Sequence, residues 1–329
     1  MISVVIPVYN EERYLGSCLN ALIEQILPPD EIIVVDDGST DNSLQIANKY
    51  PVRVISQKHH GPAAARNIGI QNANGEIILF TDADCRPTVN WVQEMVQPFL
   101  DATIVGVKGV YATNQQNIVA RIIQYEFEER YDMMSRLTRI DFVDTYSAAF
   151  RADVLRQVGG FDRAFPHANN EDVDLSYRLA RLGNKMVFNR NAVVFHHHVE
   201  RWGDYINLKI KRAYWRMIVY RLHPSKIFKD TYTPQLLKLQ VVFAALTPML
   251  LILGLFRWPI LCWGSIATGI GLLVSAFPFV LKVYNKESQL LVWAFFLVIL
   301  RAYAFSIGVI AGVVGLFFFH RNKERSALP

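Results

Sequence analysis

The stretch Ile77-Ile78-Leu79-Phe80-Thr81-Asp82-Ala83-Asp84 places two carboxylates directly after a run of apolar residues. Four apolar residues in succession are typical of a parallel strand that is buried on both faces. Gly75 precedes the run and Pro87 follows it, so the strand is bounded on both sides. We therefore expect Asp82 and Asp84 at the carboxyl end of a buried strand, where open α/β sheets bind their ligands.

The spacing of the two carboxylates suggests a metal site. On an extended chain, residues i and i+2 point the same way, so Asp82 and Asp84 can reach one cation. Mg²⁺ and Mn²⁺ prefer oxygen ligands and can bridge a diphosphate. A lone Asp-x-Asp is a weak pattern, however, and is more typical of a solvated loop or a helix N-terminus. The rest of the chain has to decide between these interpretations.

The composition separates the chain into two parts. Of 329 residues, 52% are hydrophobic and 19% are charged, which excludes a disordered chain and an ordinary soluble surface. Residues 1–230 have the composition of a globular domain, and residues 236–319 that of a membrane region. The three cysteines, Cys18, Cys85 and Cys262, are widely spaced, so we expect neither a disulfide framework nor a zinc site.

The first part alternates strands with helices. Apolar runs predict strands at 3–7, 31–35, 52–56 and 77–80, separated by predicted helices at 14–25, 41–50 and 62–72. This alternation is typical of an α/β domain with a mostly parallel sheet. Further along, we expect a strand at 144–150 and an amphipathic helix at 115–137, near the acceptor or the membrane face.

Four motifs in this order resemble those of the family 2 glycosyltransferases. They are Val4-Val5-Ile6-Pro7-Val8-Tyr9-Asn10-Glu11, Ile32-Ile33-Val34-Val35-Asp36-Asp37-Gly38-Ser39-Thr40-Asp41, Gly61-Pro62-Ala63-Ala64-Ala65-Arg66-Asn67-Ile68-Gly69 and Asp82-Ala83-Asp84. The resemblance covers roughly residues 1–200. It implies the GT-A fold, a single α/β domain that binds a nucleotide-sugar, and a reaction that inverts the anomeric centre.

The resemblance also implies a donor site, residue by residue. Pro7, Tyr9 and Glu11 would line the base pocket, with the Tyr9 ring stacked on the base. Asp37 would contact the base or ribose, and Arg66 the base or diphosphate. Asp82 would contact the ribose or sugar, and Asp84 would hold a Mg²⁺ or Mn²⁺ ion. Without the family, Tyr9 is equally a half-buried aromatic, Asp37 part of a capping turn and Arg66 a surface charge. Asp82 is a second candidate ligand of the metal.

The pair Glu171-Asp172 opens a helix whose apolar residues recur at helical spacing. The resemblance implies that Asp172 is the catalytic base. At a helix N-terminus we expect its carboxylate to stay ionised and to take the proton of an acceptor hydroxyl. If the acceptor is a phosphate, Asp172 would orient it instead. Plain N-terminal capping is the alternative interpretation.

His196-His197-His198 follows a predicted strand at 192–195. Three adjacent histidines cannot all face one ion, because alternate side chains diverge on an extended chain. We expect one of them, His196 or His198, to complete the metal site; the alternative is a set of hydrogen-bonded loop histidines. The run from His198 to Trp202 is also similar to the Gln-x-x-Arg-Trp motif of processive synthases, but His replaces Gln.

Residues 201–232 form a basic segment that we expect at a membrane surface. Between 201 and 229 there are eight basic residues against the single acid Asp204, interleaved with Trp and Tyr. This composition is typical of a helix lying against anionic lipid. A nucleic-acid surface can have the same composition, but the hydrophobic segments that follow favour membrane and no nucleic-acid partner.

Residues 233–329 form the predicted transmembrane region, with two to four hydrophobic segments. Segments 236–256 and 258–281 are long enough to cross the bilayer, and 289–319 is longer than one span needs. Lys282, Lys286 and the basic tail 321–325 favour the cytoplasmic side. With the catalytic domain in the cytoplasm, three crossings would place the basic tail on the opposite side of the membrane. Either the last segment breaks or re-enters near Arg301, or the preference of basic residues for the cytoplasmic side is weak here.

Together these features predict a membrane-anchored, multi-pass glycosyltransferase with its catalytic domain in the cytoplasm, since the first strand begins at Ile2. We expect transfer from a nucleotide-sugar to a lipid-linked or polyprenyl-phosphate acceptor. The alternatives are a processive polysaccharide synthase and, from another class, a non-catalytic nucleotide-sugar-binding membrane subunit. The sugar, the nucleotide, the acceptor and the metal are left open by the sequence.

Overall fold

The computed structural model describes residues 1–165 and 170–325, with side chains described as far as residue 316. Its contacts divide the chain into two compact units. The first unit contains residues 1–114 and 131–197, and the second contains residues 115–130 and 198–329. Residues 115–130 thus group with the C-terminal part of the chain, which contains the long apolar helices.

The first unit is built on an eight-stranded sheet. Its strands are β1 (Ile2–Val8), β2 (Glu31–Asp36), β3 (Arg53–Ser56), β4 (Ile77–Phe80), β5 (Cys85–Pro87), β6 (Ile104–Ala112), β7 (Ala148–Arg151) and β8 (Lys185–His196). Their spatial order is β3-β2-β1-β4-β7-β6-β8-β5. The first four strands are parallel neighbours, as their apolar runs predict. On the other side, β7 is antiparallel to both neighbours and β5 is antiparallel to β8, so the sheet is mixed.

Helices cover this sheet in the order that the alternation predicts. They are α1 (Leu15–Ile23), α2 (Ser43–Ala47), α3 (Pro62–Asn72), α4 (Trp91–Val96), α6 (Ala152–Gln157) and α7 (Glu171–Arg181), while α5 (Ile118–Met134) begins in the second unit and ends in the first. Leu15, Leu19 and Leu22 of α1 are fully buried, whereas Ile23 at the end of the helix is exposed. Burial of such stripes against the sheet is the main stabilising contribution in an α/β domain.

One strand is shorter than the sequence predicts. Residues 145–147 form a 3-10 turn, and the strand β7 begins only at Ala148. The reason is local packing: the Ser147 hydroxyl accepts a hydrogen bond from the Trp91 indole at 2.8 Å, and it lies 3.3 Å from the Ala192 carbonyl. This polar anchoring draws Ser147 away from ladder geometry.

The second unit contains four long helices besides the start of α5. They are α8 (Trp202–Leu222), α9 (Gln235–Phe256), α10 (Ile260–Lys286) and α11 (Leu291–Arg325). Among the residues that the structure describes, three segments are long and apolar enough to cross a membrane: Gln235–Phe256, Ile260–Lys286 and Ser288–Leu316. Ala244, Leu272 and Ala302 form a small buried core among the last three helices.

The last helix does not break. α11 continues through Arg301 without interruption, so a break of the helix near that residue, one of the two alternatives that the sequence left open, does not occur. Arg301 is tolerated because it is buried inside the unit: its guanidinium donates to Glu126 at 3.1 Å and to Gln240 at 3.1 Å. A charge paired in this way does not face lipid, which removes the energetic reason for a break.

Candidate active site

The two carboxylates of the Asp-x-Asp pattern lie just beyond β4, in a turn. The chain turns at residues 83–84 and enters β5 at Cys85. The backbone is not extended here, so the alternation of side chains along a strand does not apply to these two carboxylates. Asp84 meets a histidine, whereas Asp82 meets an arginine, as described below.

Asp84 is brought to His196 by strand pairing. β5 runs antiparallel to β8, with Cys85 directly opposite His196. This register leaves His196 Nδ1 3.3 Å from Asp84 Oδ2. His197 instead stacks on Tyr14, with ring centroids 5.9 Å apart. In the second unit, His198 Nε2 lies 3.1 Å from Gln124 Oε1. Within the first unit, His196 is therefore the histidine that meets the carboxylate.

Asp84 and His196 fit a divalent cation. Within the described part of the chain, the ligand atoms of Asp84, Cys85 and His196 lie within 4.8 Å of one another. Burial would raise the pKa of Asp84, but contact with His196 outweighs burial and holds the pKa below its ordinary value. Burial, then Asp84 and Asp82, raise the pKa of the Cys85 thiol well above its ordinary value. The carboxylate and imidazole suit Mn²⁺ or Mg²⁺, whereas a protonated thiol does not.

Glu11 adds negative charge to the same edge of the sheet. Burial, followed by the charges of Asp84, Asp82 and Asp41, raises its pKa to about 7. Its backbone N–H donates to Ser43 Oγ at 2.7 Å, which holds the loop after β1 against the start of α2. Carboxylates that raise one another's pKa favour a cation between them, which is consistent with a metal at Asp84.

Arg66 joins the carboxylate edge to the start of α7. It is almost completely buried on α3 and donates to Asp82 Oδ1 at 2.9 Å and to Glu171 Oε1 at 2.7 Å. Burial lowers the pKa of Arg66, but Asp82 and Glu171 outweigh it and raise the pKa overall, so Arg66 is a fixed cation. The side chain of Arg66, which the resemblance places at the donor's base or diphosphate, is thus already held in ion pairs with Asp82 and Glu171.

Asp172 follows Glu171 in the first turn of α7. Its Oδ1 accepts a hydrogen bond from its neighbour's backbone, Val173 N–H, at 2.8 Å. Burial, followed by the charges of Glu171 and Asp144, raises its pKa to about 8. The expectation that the helix dipole keeps Asp172 ionised is wrong, because burial and two neighbouring carboxylates outweigh the dipole. A carboxyl with this pKa is well suited to accept a proton near neutral pH.

The carboxyl ends of β1 and β2 bring Pro7, Tyr9 and Asp37 together. Pro7 pairs with Val35 across the two strands. Asn10, with a left-handed φ of 58°, donates its backbone N–H to Ser39 Oγ at 3.0 Å and accepts from Thr40 N–H at 2.8 Å. These bonds tie the loop after β1 to the loop after β2, and so hold Tyr9 on the same edge as Asp37.

Asp37 is buried and surrounded by donors from the segment before α3. Its Oδ1 accepts from Gln57 Nε2 and from the His60 backbone N–H, and its Oδ2 accepts from the Gly61 backbone N–H at 2.8 Å. Gly61 has a φ of 88°, which a residue with a side chain rarely adopts, at the N-terminus of α3. His59 Nδ1 lies 2.9 Å from the same Oδ2.

Three functional candidates were missed by reasoning from the sequence. Glu171 was overlooked as a partner of Arg66, and His59 as a neighbour of Tyr9. Lys108 was overlooked on β6, where it is completely buried and bonds to Asp144 and, at 3.0 Å, to Tyr146 Oη. A lone charge within the apolar run Ile104–Ala112 was a usable signal for Lys108. No local signal marks the other two, because their partners are distant in sequence.

The sequence of this chain is similar to those of known glycosyltransferases. Residues 3–159 match the sequence model of Glycosyl transferase family 2. Glycosyltransferase AglE of Haloferax volcanii is 29% identical over 203 residues, covering 59% of this chain and 66% of the relative. The pre-mycofactocin glycosyltransferase of Mycobacterium tuberculosis is 29% identical over 218 residues, covering 63% of this chain and 45% of the relative. This chain thus spans less than two thirds of the length of either relative.

Solved structures agree on the fold. Mannosyltransferase PcManGT from Pyrobaculum calidifontis has a TM-score of 0.61 at 19% identity, over 95% of this chain and 86% of its own. S. aureus TarS 1–349 has a TM-score of 0.52 at 19% identity, over 93% of this chain and 90% of its own. Residues 3–159 therefore match Glycosyl transferase family 2 in sequence, and the chain shares its fold with these two solved structures.

Proposed function

We propose that this protein is an inverting glycosyltransferase. It moves a sugar from a nucleotide-sugar donor to a lipid-linked or polyprenyl-phosphate acceptor at the cytoplasmic face of the membrane. The observation that carries the proposal is the single polar edge on which Asp84 and His196 lie beside Asp82, itself joined through Arg66 to the helix that bears Asp172. A nucleotide-binding protein without catalysis has no need of a carboxyl whose pKa is about 8.

The donor would bind between the loops after β1, β2 and β4. Tyr9 and Asp37 would receive the base, Pro7 and Glu11 would line its pocket, and Asp82 and Arg66 would face the ribose, sugar or diphosphate. Asp84 and His196 would hold a Mg²⁺ or Mn²⁺ ion, which neutralises the leaving diphosphate when bound. PcManGT, which has the same fold, is described in complex with GDP-Man and Mn²⁺.

Asp172 would act on the acceptor. As the free carboxylate it takes the proton of an attacking hydroxyl while the acceptor displaces the nucleoside diphosphate from the opposite face of the sugar. A phosphate acceptor needs no strong base, and Asp172 would then orient it. Lys108 and Asp144 would act indirectly, since Asp144 helps to raise the pKa of Asp172.

The second unit supports an amphiphilic acceptor. Three segments are long and apolar enough to cross a membrane, and the helix α8 carries most of the basic segment. A catalytic domain attached to a membrane meets lipid-linked acceptors at high local concentration. We expect the protein to stay with the membrane in high salt and at alkaline pH, and to be released only by detergent.

The test is nucleotide release from a panel of nucleotide-sugars by the full-length protein in lipid, with Mn²⁺ or Mg²⁺ and a lipid extract. Release from one donor that requires both metal and lipid, and that is lost in Asp84→Ala and Asp172→Asn, would establish the function. The matched control is Asp153→Asn. Asp153 is an exposed carboxylate in the first turn of α6 that bonds to its own next N–H, as Asp172 does. Release that depends equally on Asp153 would contradict the roles assigned above.

A further inference from the structure

The imidazole of His59 lies where the proposed function expects a nucleobase. Its ring stacks on the Tyr9 ring with centroids 4.0 Å apart and planes inclined by 25°. Its Nδ1 lies 2.9 Å from Asp37 Oδ2. A flat ring on Tyr9 with a polar edge on Asp37 is the arrangement that a base would adopt with the same two residues.

There is no room for a base between the two rings. Stacked rings lie about 3.5 to 4 Å apart at contact, so a base inserted between Tyr9 and His59 would have to roughly double the observed 4.0 Å. A base that uses both Tyr9 and Asp37 must therefore displace the imidazole.

The displacement needs only a rotation of one side chain. The backbone of this segment is held in place, because Gln57 N–H donates to Asp36 O at 2.9 Å and Gly61 N–H donates to Asp37 at 2.8 Å. Gly38, with a φ of 77°, lets the segment approach closely: a Cβ there would lie 2.9 Å from His59 N. The His59 side chain itself is half exposed, so it can turn towards solvent without moving the loop.

We propose that His59 is an internal competitor for the nucleobase, and that it thereby sets the affinity and the base preference of the donor site. In the closed arrangement the imidazole covers Tyr9 and lies against Asp37. In the open arrangement it turns outwards, and the base takes over both contacts. The inference rests on the proposed donor site, because it assumes that Tyr9 and Asp37 receive the base.

The energetic consequence follows from the populations of the two arrangements. If only about one molecule in ten is open, the apparent dissociation constant of the nucleotide is about tenfold higher than that of the open form. Removal of the imidazole should therefore lower the apparent dissociation constant of the nucleotide about tenfold. The affinity for a ligand without a base should not change when His59 is replaced, because such a ligand does not compete for Tyr9 or Asp37.

The experiment measures binding of UDP, GDP and inorganic pyrophosphate, each with Mg²⁺, to the full-length protein in detergent by titration calorimetry. We expect His59→Ala to bind the preferred nucleotide about tenfold more tightly than the unsubstituted protein, with no change for pyrophosphate. The control is His60→Ala. The imidazole of His60 is exposed, and its bond to Asp37 comes from the backbone N–H, which the substitution retains.

Two results would overturn the inference. Weaker or unchanged nucleotide binding in His59→Ala would show that the imidazole supports the base or plays no part. Equal tightening for pyrophosphate would place the effect at the diphosphate. A failure of the proposed function looks different: the unsubstituted protein itself would bind neither nucleotide, and the inference would fall with it.

Discussion

At the residue scale, the protonation of Asp172 is decided by its surroundings and not by its position on a helix. Burial, Glu171 and Asp144 raise its pKa to about 8, while Asp84 is held ionised by His196. Two carboxyl groups on one edge of a sheet thus differ in charge at neutral pH. A pair of carboxyl groups with pKa values shifted in opposite directions is typical of sites in which one group binds a cation and the other moves a proton.

The first prediction is a pH dependence. A base with a pKa of about 8 is mostly protonated below that value, so kcat/KM should rise about tenfold per pH unit up to about pH 7.5 and level off above about pH 8.5. Asp172→Asn should lower kcat by about 10² to 10⁴ and remove this dependence. Initial rates between pH 6 and pH 9 at saturating metal measure both. A flat profile in the unsubstituted protein would show that Asp172 does not act as the base.

The second prediction concerns the metal. Replacing His196 by Ala removes an imidazole at Asp84, and we expect the Mn²⁺ concentration for half-maximal activity to rise at least about 10- to 100-fold. Cys85→Ser is the matched control, because Cys85 lies within the same group but carries a protonated thiol. Metal titrations of nucleotide release compare the two. A larger effect of Cys85→Ser would transfer the ligand role to the sulfur.

At the scale of elements, glycines allow two helices of the second unit to pack closely. Gly308, Gly312 and Gly315 on α11 face α8, and a Cβ at Gly308 would lie 2.3 Å from the Ile210 carbonyl oxygen. Small residues four apart are the usual means by which helices approach each other in membranes. The contact places the basic helix α8 directly against one of the apolar helices.

The third prediction tests this packing. Gly308→Ala should lower stability by about 1–3 kcal/mol, because the helices must separate to admit the methyl group. Gly203→Ala, at a position of α8 where a Cβ meets nothing within 4 Å, should be nearly neutral. Thermal unfolding of both variants in the same detergent provides the comparison. Equal melting temperatures would mean that the close approach of α8 and α11 is not required.

At the scale of the whole molecule, a buried charge cluster connects helices that are far apart in sequence. Glu126 on α5 accepts hydrogen bonds from Tyr205 at 2.6 Å and Arg301 at 3.1 Å, and it also bonds to Lys209. Arg301 in turn donates to Gln240 on α9 at 3.1 Å. All five side chains are buried. The Glu126 carboxylate thus joins α5, α8 and α11, and Arg301 extends the cluster to α9.

The fourth prediction follows from the unequal charges of this cluster. Glu126→Gln leaves Lys209 and Arg301 buried without their shared carboxylate, and we expect a loss of about 3–5 kcal/mol in stability. Adding Lys209→Met should restore part of the loss, because one uncompensated charge is removed. Thermal unfolding in detergent measures both variants. Greater damage in the double variant than in Glu126→Gln would contradict this account.

Much of the fold could be read from the sequence because its signals are local. Three of the first four strands, β1, β2 and β4, are short and largely buried apolar runs followed by polar residues such as Asp37 or Asp82, whereas β3 is exposed or half-buried. The three apolar segments were also evident, since length and composition alone define them. The antiparallel direction of β7 was not evident, because strand direction has no local signal in the sequence.

By itself, the sequence determined the alternating strands and helices, the family motifs and the candidate carboxylates, since all of these depend on short-range order along the chain. Folding was needed to bring His196 to Asp84, because the register of β5 on β8 makes that contact. Tertiary structure also decided the pKa of Asp172, the pairing of Arg301 and the stacking of His59 on Tyr9. Burial, charge proximity and ring contact all arise between residues that only folding brings together.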